Sequence, residues 1–224
     1  MTAESSAPAS VRVDIVSDVV CPWCFIGKRR LEMATALTPD IAVDINWRPY
    51  FLNPWIPREG IDRQTYLETK FGSVERYAVI AERVVAAAAV DGLVYASDKI
   101  GRQPNTLDCH RLILWSRSAT DPGRMTQRLM DLYFTEGANL TDPKTLIQAS
   151  VDCGMDGDLV RRLLASDADV DRVEGEANGA REAGIEGVPC FIFNGSVIVT
   201  GAQSPEYLAN AIERTAGRHT RMRA

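Results

Sequence analysis

The chain has 224 residues, of which 46% are hydrophobic and 25% are charged, and this ordinary globular composition excludes a largely disordered protein. Its formal net charge of −5 excludes a generally basic surface for binding nucleic acid. No apolar run approaches the roughly 20 residues that a membrane-spanning helix needs, so we expect no membrane anchor.

The first segment, residues 1–10, is small and polar and is predicted to form a disordered tail. It has neither the basic start nor the apolar segment of a secretory signal, so we expect a cytoplasmic protein. Because the cytoplasm is reducing, the five cysteines are not expected to form a structural disulfide framework.

A β-α-β unit is predicted next. Apolar residues alternate from Val11 and run on to Val20, which is typical of a buried strand. Apolar residues then recur at helical spacing up to Leu37, before Thr38-Pro39, and a second strict alternation covers residues 41–47. A helix between two strands favours parallel pairing of those strands with a right-handed crossover.

From about residue 53 to residue 184 the strand alternation disappears, and helices are predicted throughout. Their starts are indicated by capping residues, two of which precede a proline at the first helical position. The candidate starts are Asp62, Ser73, Asn105, Asp121, Asp142, Asp156 and Asp167.

Two short strands return at residues 190–194 and 197–200, joined by a hairpin turn at Gly195-Ser196, and a last helix follows Ser204. The order β-α-β, helices, β-β-α predicts a single α/β domain over residues 11–224. Its sheet would come from residues 11–52 and 185–217, and residues 53–184 would be a helical insertion.

Cys21 and Cys24 flank a proline and a tryptophan at the predicted junction between the first strand and its helix. Free backbone N–H groups at a helix N-terminus favour an anion, which makes Cys21 the expected nucleophilic thiolate. Cys24 lies one turn further on, within reach of a mixed disulfide on Cys21. Pro22 suits the first turn because it has no N–H to donate, and Trp23 offers an apolar surface for substrate.

A zinc site and two buried structural thiols are the alternatives to a redox pair, and both explain the sequence less well. A zinc site would need two more ligands, but the chain has no second CxxC pair and only two histidines, so we expect no metal. Two buried structural thiols would explain neither the spacing nor the position at the junction. A stapling disulfide is also disfavoured, because a bridge across four residues contributes roughly 2 kcal/mol, against roughly 5 across a loop of roughly 170 residues.

Residues 187–190, GVPC, precede the late hairpin, where a proline removes a donor from the sheet. A cis bond before Pro189 would leave the backbone of Val188 free to pair with an extended peptide or thiol substrate beside the cysteines. An ordinary trans proline at the start of a strand is the alternative, and the local sequence taken alone favours it.

Five segments resemble, in their order, the thioredoxin-fold DsbA family and most closely its cytosolic FrnE-like branch; they are DVVCPWCFIGK, PNTLDCHRL, YFTEG, GIEGVPCFIFNG and TGAQSPEYL. The resemblance covers Val11 to Ala216. It implies a thioredoxin-like fold, β-α-β then β-β-α, with a large all-helical insertion. It also implies thiol-disulfide oxidoreductase chemistry, with Cys21 attacking, Cys24 resolving and Pro189 as a cis-proline that faces them.

The other titratable residues of these segments have more than one interpretation. Cys109, Cys153 and Cys190 are predicted to be buried and inert, and strand alternation should turn Cys190 away from the face that Pro189 presents. His110 is either a substrate-binding residue on the insertion, above the cysteines, or a histidine satisfied within its helix.

The leading hypothesis is a dithiol-disulfide oxidoreductase that acts on a protein or small thiol, with glutathione as a candidate co-substrate and no cofactor besides the redox-active pair. A glutathione-dependent enzyme of the kappa-class transferase or 2-hydroxychromene-2-carboxylate isomerase type is the first alternative. Cys24 counts against it, because a resolving cysteine would discharge a glutathione adduct. A non-catalytic chaperone or partner-binding module that uses the groove around Trp23 is the second. Both a monomer and a homodimer stay open.

Overall fold

A computed structural model describes residues 9–222, with side-chain environments given for residues 10–217. The described chain has strands and helices at both ends and is mainly helical in between. The strands are β1 (Ala9–Ser17), β2 (Ile41–Pro49), β3 (Ile61–Asp62), β4 (Arg102–Gln103), β5 (Cys190–Phe193) and β6 (Val197–Thr200). The helices are α1 (Pro22–Leu37), α2 (Arg63–Phe71), α3 (Val74–Val90), α4 (Leu107–Ser116), α5 (Pro122–Phe134), α6 (Pro143–Asp152), α7 (Gly157–Leu164), α8 (Val170–Glu182) and α9 (Pro205–Met222).

Four strands form one sheet in the order β2-β1-β5-β6. β1 pairs in parallel with β2, whereas the β1–β5 and β5–β6 pairs are antiparallel. The predicted β-α-β unit, the late hairpin and the α/β class with a helical insertion are therefore confirmed. The hairpin turn begins one residue earlier than predicted, because Asn194 and Gly195 both adopt positive φ, at 45° and 67°.

One hydrophobic core joins the sheet to the insertion. Val11 and Val13 of β1 are fully buried, and Phe25 of α1 stacks on Phe134 of α5 with ring centroids 5.2 Å apart. Full burial of a side chain of this kind contributes about 1.5–3 kcal/mol. The helices of the insertion are thus held against the strand and helix that carry the cysteines.

Most predicted helix starts are confirmed by capping bonds. A side-chain oxygen of the capping residue accepts a hydrogen bond from a backbone N–H of the first turn at Asp62, Ser73, Asp121, Asp142 and Asp156. Asn105 and Asp167 are exceptions, because α4 begins after Thr106 and α8 begins after Asp169, whose side chain forms no capping bond. The Asn105 side chain still accepts from the N–H of Leu107 at 2.9 Å, and it donates to the carbonyl of Ile56 at 2.7 Å.

Two further features differ from the predictions, a strand pair inside the insertion and the start of β1. β3 and β4 pair antiparallel inside the insertion, which is therefore not wholly helical. β1 begins at Ala9, so the described structure starts before the expected end of the tail at residue 10, and residues 1–8 lie outside the described part. No helix among the described residues is long and apolar enough to cross a membrane.

Candidate active site

Cys21 is placed at the start of α1 by the turn that follows β1. Its backbone N–H donates to the carbonyl of Asp18 at 3.1 Å, and its own carbonyl accepts from the N–H of Cys24 at 2.9 Å. Cys21 is therefore the N-cap residue of the helix, and Pro22 occupies the first turn as predicted. The free N–H groups of that turn and the helix dipole favour negative charge at this end of α1.

The loop before β5 brings the second sequence motif to Cys21. Val16 of β1 pairs with Cys190 of β5, so the residues just before β5 lie beside the end of β1. The Val188–Pro189 peptide bond is cis, as the resemblance implies. The thiol of Cys21 donates to the carbonyl of Val188 with an Sγ–O distance of 3.5 Å. The CPWC and GVPC segments, which are far apart in the sequence, are thus in contact at the Cys21 sulfur.

The Cys24 side chain is only 2% exposed. Burial raises the pKa of its thiol well above the ordinary value, and the hydrogen bond with Cys21 and the charge of the Cys21 sulfur raise it further. The backbone of Asp18 and the hydroxyl of Ser17 lower this pKa by smaller amounts. Cys24 is therefore protonated at neutral pH, and both cysteines are free thiols in this structure.

Gly27 sets how closely α1 approaches the loop before β5. A Cβ atom at this buried position would lie 2.9 Å from Cγ of Pro189 and 3.2 Å from Cζ of Phe191. The first distance is shorter than a normal van der Waals contact, so any larger residue would push the Pro189 loop away from α1. The absence of a side chain at Gly27 is thus part of the geometry between Cys21 and Val188.

We expect Gly27→Ala to lower the rate of disulfide exchange about tenfold, because an ångström-scale displacement of the loop separates Val188 from Cys21. The same overpacking should lower the free energy of unfolding by about 1–3 kcal/mol. The matched control is Gly175→Ala in α8, where a Cβ would meet nothing within 4 Å. There we expect unchanged exchange and a gain of about 0.5–1 kcal/mol from helix propensity. Insulin reduction and guanidinium unfolding measure the two effects, and equal behaviour of both variants would contradict the prediction.

A cavity of about 260 Å³ opens beside the nucleophile. Cys21, Pro22, Trp23 and Val188 belong to its wall, and Trp23 is 38% exposed. Most of the remaining wall comes from the insertion, which contributes six aromatic side chains, Tyr66, Phe71, Tyr77, Tyr95, Tyr133 and Phe134. Cys24 and Pro189 are not among the lining residues that the structure describes. Of the pair, only Cys21, which is itself 3% exposed, therefore belongs to the cavity wall as described.

Two cations of the cavity wall, Arg63 and Lys70, lie outside every sequence motif described above. Both belong to α2, where they flank Tyr66 at spacings of three and four residues, so all three side chains share one helix face. That spacing is the one signal in the sequence that points to them. Their partners in the fold come from distant segments and could not be inferred.

His110 lies against Asp18 and is not part of the cavity wall. It is 6% exposed, and its Nε2 is 3.5 Å from Oδ1 of Asp18, whose other oxygen accepts from the N–H of Leu52 at 2.8 Å. Within the described structure neither Nε2 of His110 nor Oδ1 of Asp18 has a hydrogen-bond partner. His110 also borders a separate cavity of about 20 Å³, which is room for about one water. A substrate-binding role for His110 stays a prediction.

The other three cysteines are buried free thiols. Cys109, Cys153 and Cys190 are each at most 2% exposed, and burial raises the pKa of each. None of them belongs to the cavity wall beside Cys21 as described. In the same part of the chain, no group of three or more His, Cys, Asp or Glu side chains is arranged to hold a metal ion.

Known protein structures share this fold. The crystal structure of a probable DsbA oxidoreductase from Streptomyces coelicolor superposes with a TM-score of 0.82 at 30% identity, covering 92% of this chain and 90% of that one. The cytosolic disulfide reductase DsbM from Pseudomonas aeruginosa, solved with GSH, superposes with a TM-score of 0.63 at 13% identity, covering 95% and 100%. Its low identity makes it evidence for the fold alone.

The sequence comparisons agree with the structural ones. The uncharacterised protein YwbO of Bacillus subtilis is 24% identical over 205 residues, which are 91% of this chain and 96% of YwbO. The family described as DSBA-like thioredoxin domain matches residues 12–213, which include the CPWC segment, the whole insertion and the GVPC loop. With a family match across nearly its whole length, the chain belongs to the DsbA-like thioredoxin-fold family of thiol oxidoreductases.

Proposed function

We propose that the protein is a dithiol-disulfide oxidoreductase whose redox pair is Cys21 and Cys24. The Cys21 thiolate attacks one sulfur of a substrate disulfide, forms a mixed disulfide and releases the first substrate thiolate. Cys24 then loses its proton, attacks the Cys21 sulfur and releases the second thiolate. Two electrons and two protons pass to the substrate, and a Cys21–Cys24 disulfide is left on the enzyme. The reverse sequence oxidises a substrate dithiol.

The observation that carries this proposal is the position of the Cys21 sulfur. It lies at the N-terminus of α1, in contact with the Val188 carbonyl and at the wall of a cavity large enough for part of a substrate. Cys24 is protonated and is not among the described residues of the cavity wall, which suits a thiol that acts only after a mixed disulfide has formed. The isomerase-type alternative is less well supported, because a protonated thiol one turn away would discharge a glutathione adduct.

The substrates proposed are protein or small-molecule disulfides, with glutathione as a candidate thiol partner. Glutathione is included because the similar DsbM structure was solved with GSH. That protein is described as cytosolic, which supports the same compartment for this one. A reducing compartment would return the pair to the dithiol form after each turnover.

The deciding experiment is a single turnover of the reduced protein with a disulfide in the absence of oxygen. We expect each chain to consume one substrate disulfide and to show a Cys21–Cys24 bridge in the peptide map. Insulin and hydroxyethyl disulfide are suitable substrates, one a protein and one a small molecule. A map that places Cys109, Cys153 or Cys190 in the new bridge would overturn the assignment of the pair, and no exchange with either substrate would overturn the function.

Alkylation tests the separate roles of the two sulfurs. At pH 7 we expect iodoacetamide to modify one thiol per native reduced chain, at Cys21, because that sulfur faces the cavity and burial keeps the other thiols protonated. Cys24 should become labelled only well above pH 9, since its pKa lies above the ordinary value of 9.0. Intact mass followed by peptide mapping gives both results. Equal labelling of Cys21 and Cys24 at neutral pH would contradict the assignment.

A further inference from the structure

The described wall of the cavity beside Cys21 contains two cationic side chains and no acidic one. The two cations are Arg63 and Lys70, and no Asp or Glu is among the lining residues that the structure describes. Neither cation lies within 4 Å of a carboxylate in the described residues, whereas about half of the other arginines there form ion pairs. Two cations at an apolar, partly closed surface favour an anionic occupant.

Among the described residues, the Arg63 side chain donates hydrogen bonds only to neutral oxygens. Its Nη1 donates to Oε1 of Gln103 at 2.5 Å and to the hydroxyl of Tyr133 at 3.3 Å, and its Nη2 donates to the hydroxyl of Tyr77 at 2.9 Å. Its buried Nε–H has no partner among the described residues. These contacts fix the guanidinium but leave its charge uncompensated.

The surrounding phenols do not supply the missing negative charge. Burial raises the pKa of Tyr66, Tyr95 and Tyr133 above the ordinary value for tyrosine, so these hydroxyls are neutral at physiological pH. The ring of Tyr66 also lies 5.1 Å below the Arg63 guanidinium, a cation–π contact that orients the charge without neutralising it.

Lys70 is the cation at the exposed rim of the cavity. Its Nζ donates to Oδ1 of Asn53 at 2.5 Å and lies 5.6 Å from the ring centre of Tyr66. Partial burial lowers the pKa of Lys70, and attraction to Cys21 and Asp18 raises it by smaller amounts. Asp18 itself is buried and bound to the N–H of Leu52. The ammonium is thus partly buried, and its one hydrogen bond within the described residues goes to the side-chain amide of Asn53.

We propose that this cavity selects small disulfides and thiols that combine an aromatic ring with a carboxylate. The ring packs among the tyrosine and phenylalanine side chains, the carboxylate lies against Lys70 within the field of Arg63, and the reacting sulfur lies at Cys21. The inference rests on the proposed function and names its substrate class. A volume of about 260 Å³ suits one substituted ring, since pockets for drug-sized ligands hold roughly 300–1,000 Å³.

The chemistry is that of the redox pair. Cys21 attacks the disulfide, one acidic aromatic thiolate leaves, and the second remains in the mixed disulfide with its ring in the cavity. Cys24 then displaces it, so one disulfide becomes two thiols and the protein becomes the Cys21–Cys24 disulfide. The two electrons come from the protein dithiol, and a single turnover needs no other reductant.

The test compares three probes in single turnovers at constant ionic strength. 5,5′-Dithiobis(2-nitrobenzoate) is aromatic and acidic, 4,4′-dithiodipyridine is aromatic and neutral at pH 8, and 3,3′-dithiodipropionate is acidic without a ring. For each probe the rate of Lys70→Gln is divided by the wild-type rate, so that the intrinsic reactivity of the probe cancels. We expect a fall of about tenfold for the nitrobenzoate probe and of less than about twofold for the pyridine probe.

Two controls distinguish an effect of the cavity from general electrostatics and from the intrinsic reactivity of each probe. Lys144→Gln removes the charge of an exposed lysine on α6, outside the cavity wall, and should change none of the three rates. Rates of free N-acetylcysteine give the solution standard for each probe. Relative to that standard, the wild-type protein should favour the nitrobenzoate probe over dithiodipropionate, because only the former has a ring to pack.

The outcomes distinguish this inference from the function on which it rests. Equal Lys70→Gln ratios for the acidic and neutral aromatic probes would overturn the substrate class and leave the oxidoreductase proposal intact. Preference for insulin over every small probe, unaffected by Lys70→Gln, would also overturn it and favour an extended peptide substrate. Failure of all three probes and of insulin to react through Cys21 would overturn the proposed function itself.

Discussion

Cys21→Ser is expected to lower the rate of disulfide exchange by a factor on the order of a thousand or more. A hydroxyl at the N-terminus of α1 is not ionised at neutral pH and does not attack sulfur, so the first step is lost. Cys24→Ser should behave differently, because Cys21 still attacks and nothing then resolves the product. We expect a mixed disulfide on Cys21 that approaches one adduct per chain. Insulin reduction measures the first effect, and mass spectrometry of the non-reduced protein measures the second.

The matched control for both variants is Cys109→Ala, which removes a fully buried thiol of α4 that is not part of the cavity wall. It should keep exchange within about twofold of wild type, since small-for-small replacement alters packing only locally. Exchange that survives Cys21→Ser would show that another sulfur is the nucleophile. The chaperone alternative would be favoured if a Cys21/Cys24 double alanine variant suppressed the aggregation of an unfolded protein as well as the wild-type protein does.

Much of the fold follows from local signals in the sequence. Strand alternation shows β1 and β2, and an acidic residue before proline shows the starts of α5 and α6, because each signal depends on neighbours within one turn. β3 and β4 have two residues each, which is too short for any periodicity. Their pairing of Ile61 with Gln103 depends on contacts across the insertion and could not be predicted.

Part of the candidate site also follows from the sequence, and part of it depends on how distant segments pack. The position of Cys21 at a helix N-terminus follows from local sequence, and its meeting with Val188 follows from the resemblance together with the pairing of β1 and β5. The aromatic wall and its two cations come from α2, α3, α5 and the segment around Tyr95, which are separated in the chain. Residues such as Arg63 and Tyr133 carry no motif, and only the packed structure shows that they share a cavity.

Arg111 belongs to the PNTLDCHRL segment but has a structural explanation. It is fully buried, and no larger side chain is as fully buried in the described residues. Its guanidinium donates at 2.7–2.8 Å to Oδ1 of Asp108 and to the backbone carbonyls of Leu163, Ser166 and Ala168. These carbonyls lie at the end of α7 and in the loop after it, where helix geometry leaves carbonyl groups without intrahelical partners.

We expect Arg111→Met to lower the free energy of unfolding by about 3–5 kcal/mol, because the carbonyls of Ser166 and Ala168 lose their donor and a buried charge network is broken. Asp108 keeps a second partner, Arg58, whose Nη2 lies 2.9 Å from its Oδ1, so the cost falls mainly on the carbonyls. Arg111→Lys should cost about 2 kcal/mol, since an ammonium keeps the charge but cannot reproduce the planar fork of donors. Guanidinium unfolding curves measure both values.

The matched control is Arg161→Met on α7, an exposed arginine paired with Asp158, where we expect a loss of at most about 1 kcal/mol. A similar loss for Arg111→Met would show that the carbonyl cluster contributes little. Disulfide exchange by Arg111→Met should fall only as far as the folded fraction falls, because Arg111 touches neither the cysteine pair nor the cavity wall. Exchange lost without a loss of stability would instead connect α4 to the chemistry at Cys21.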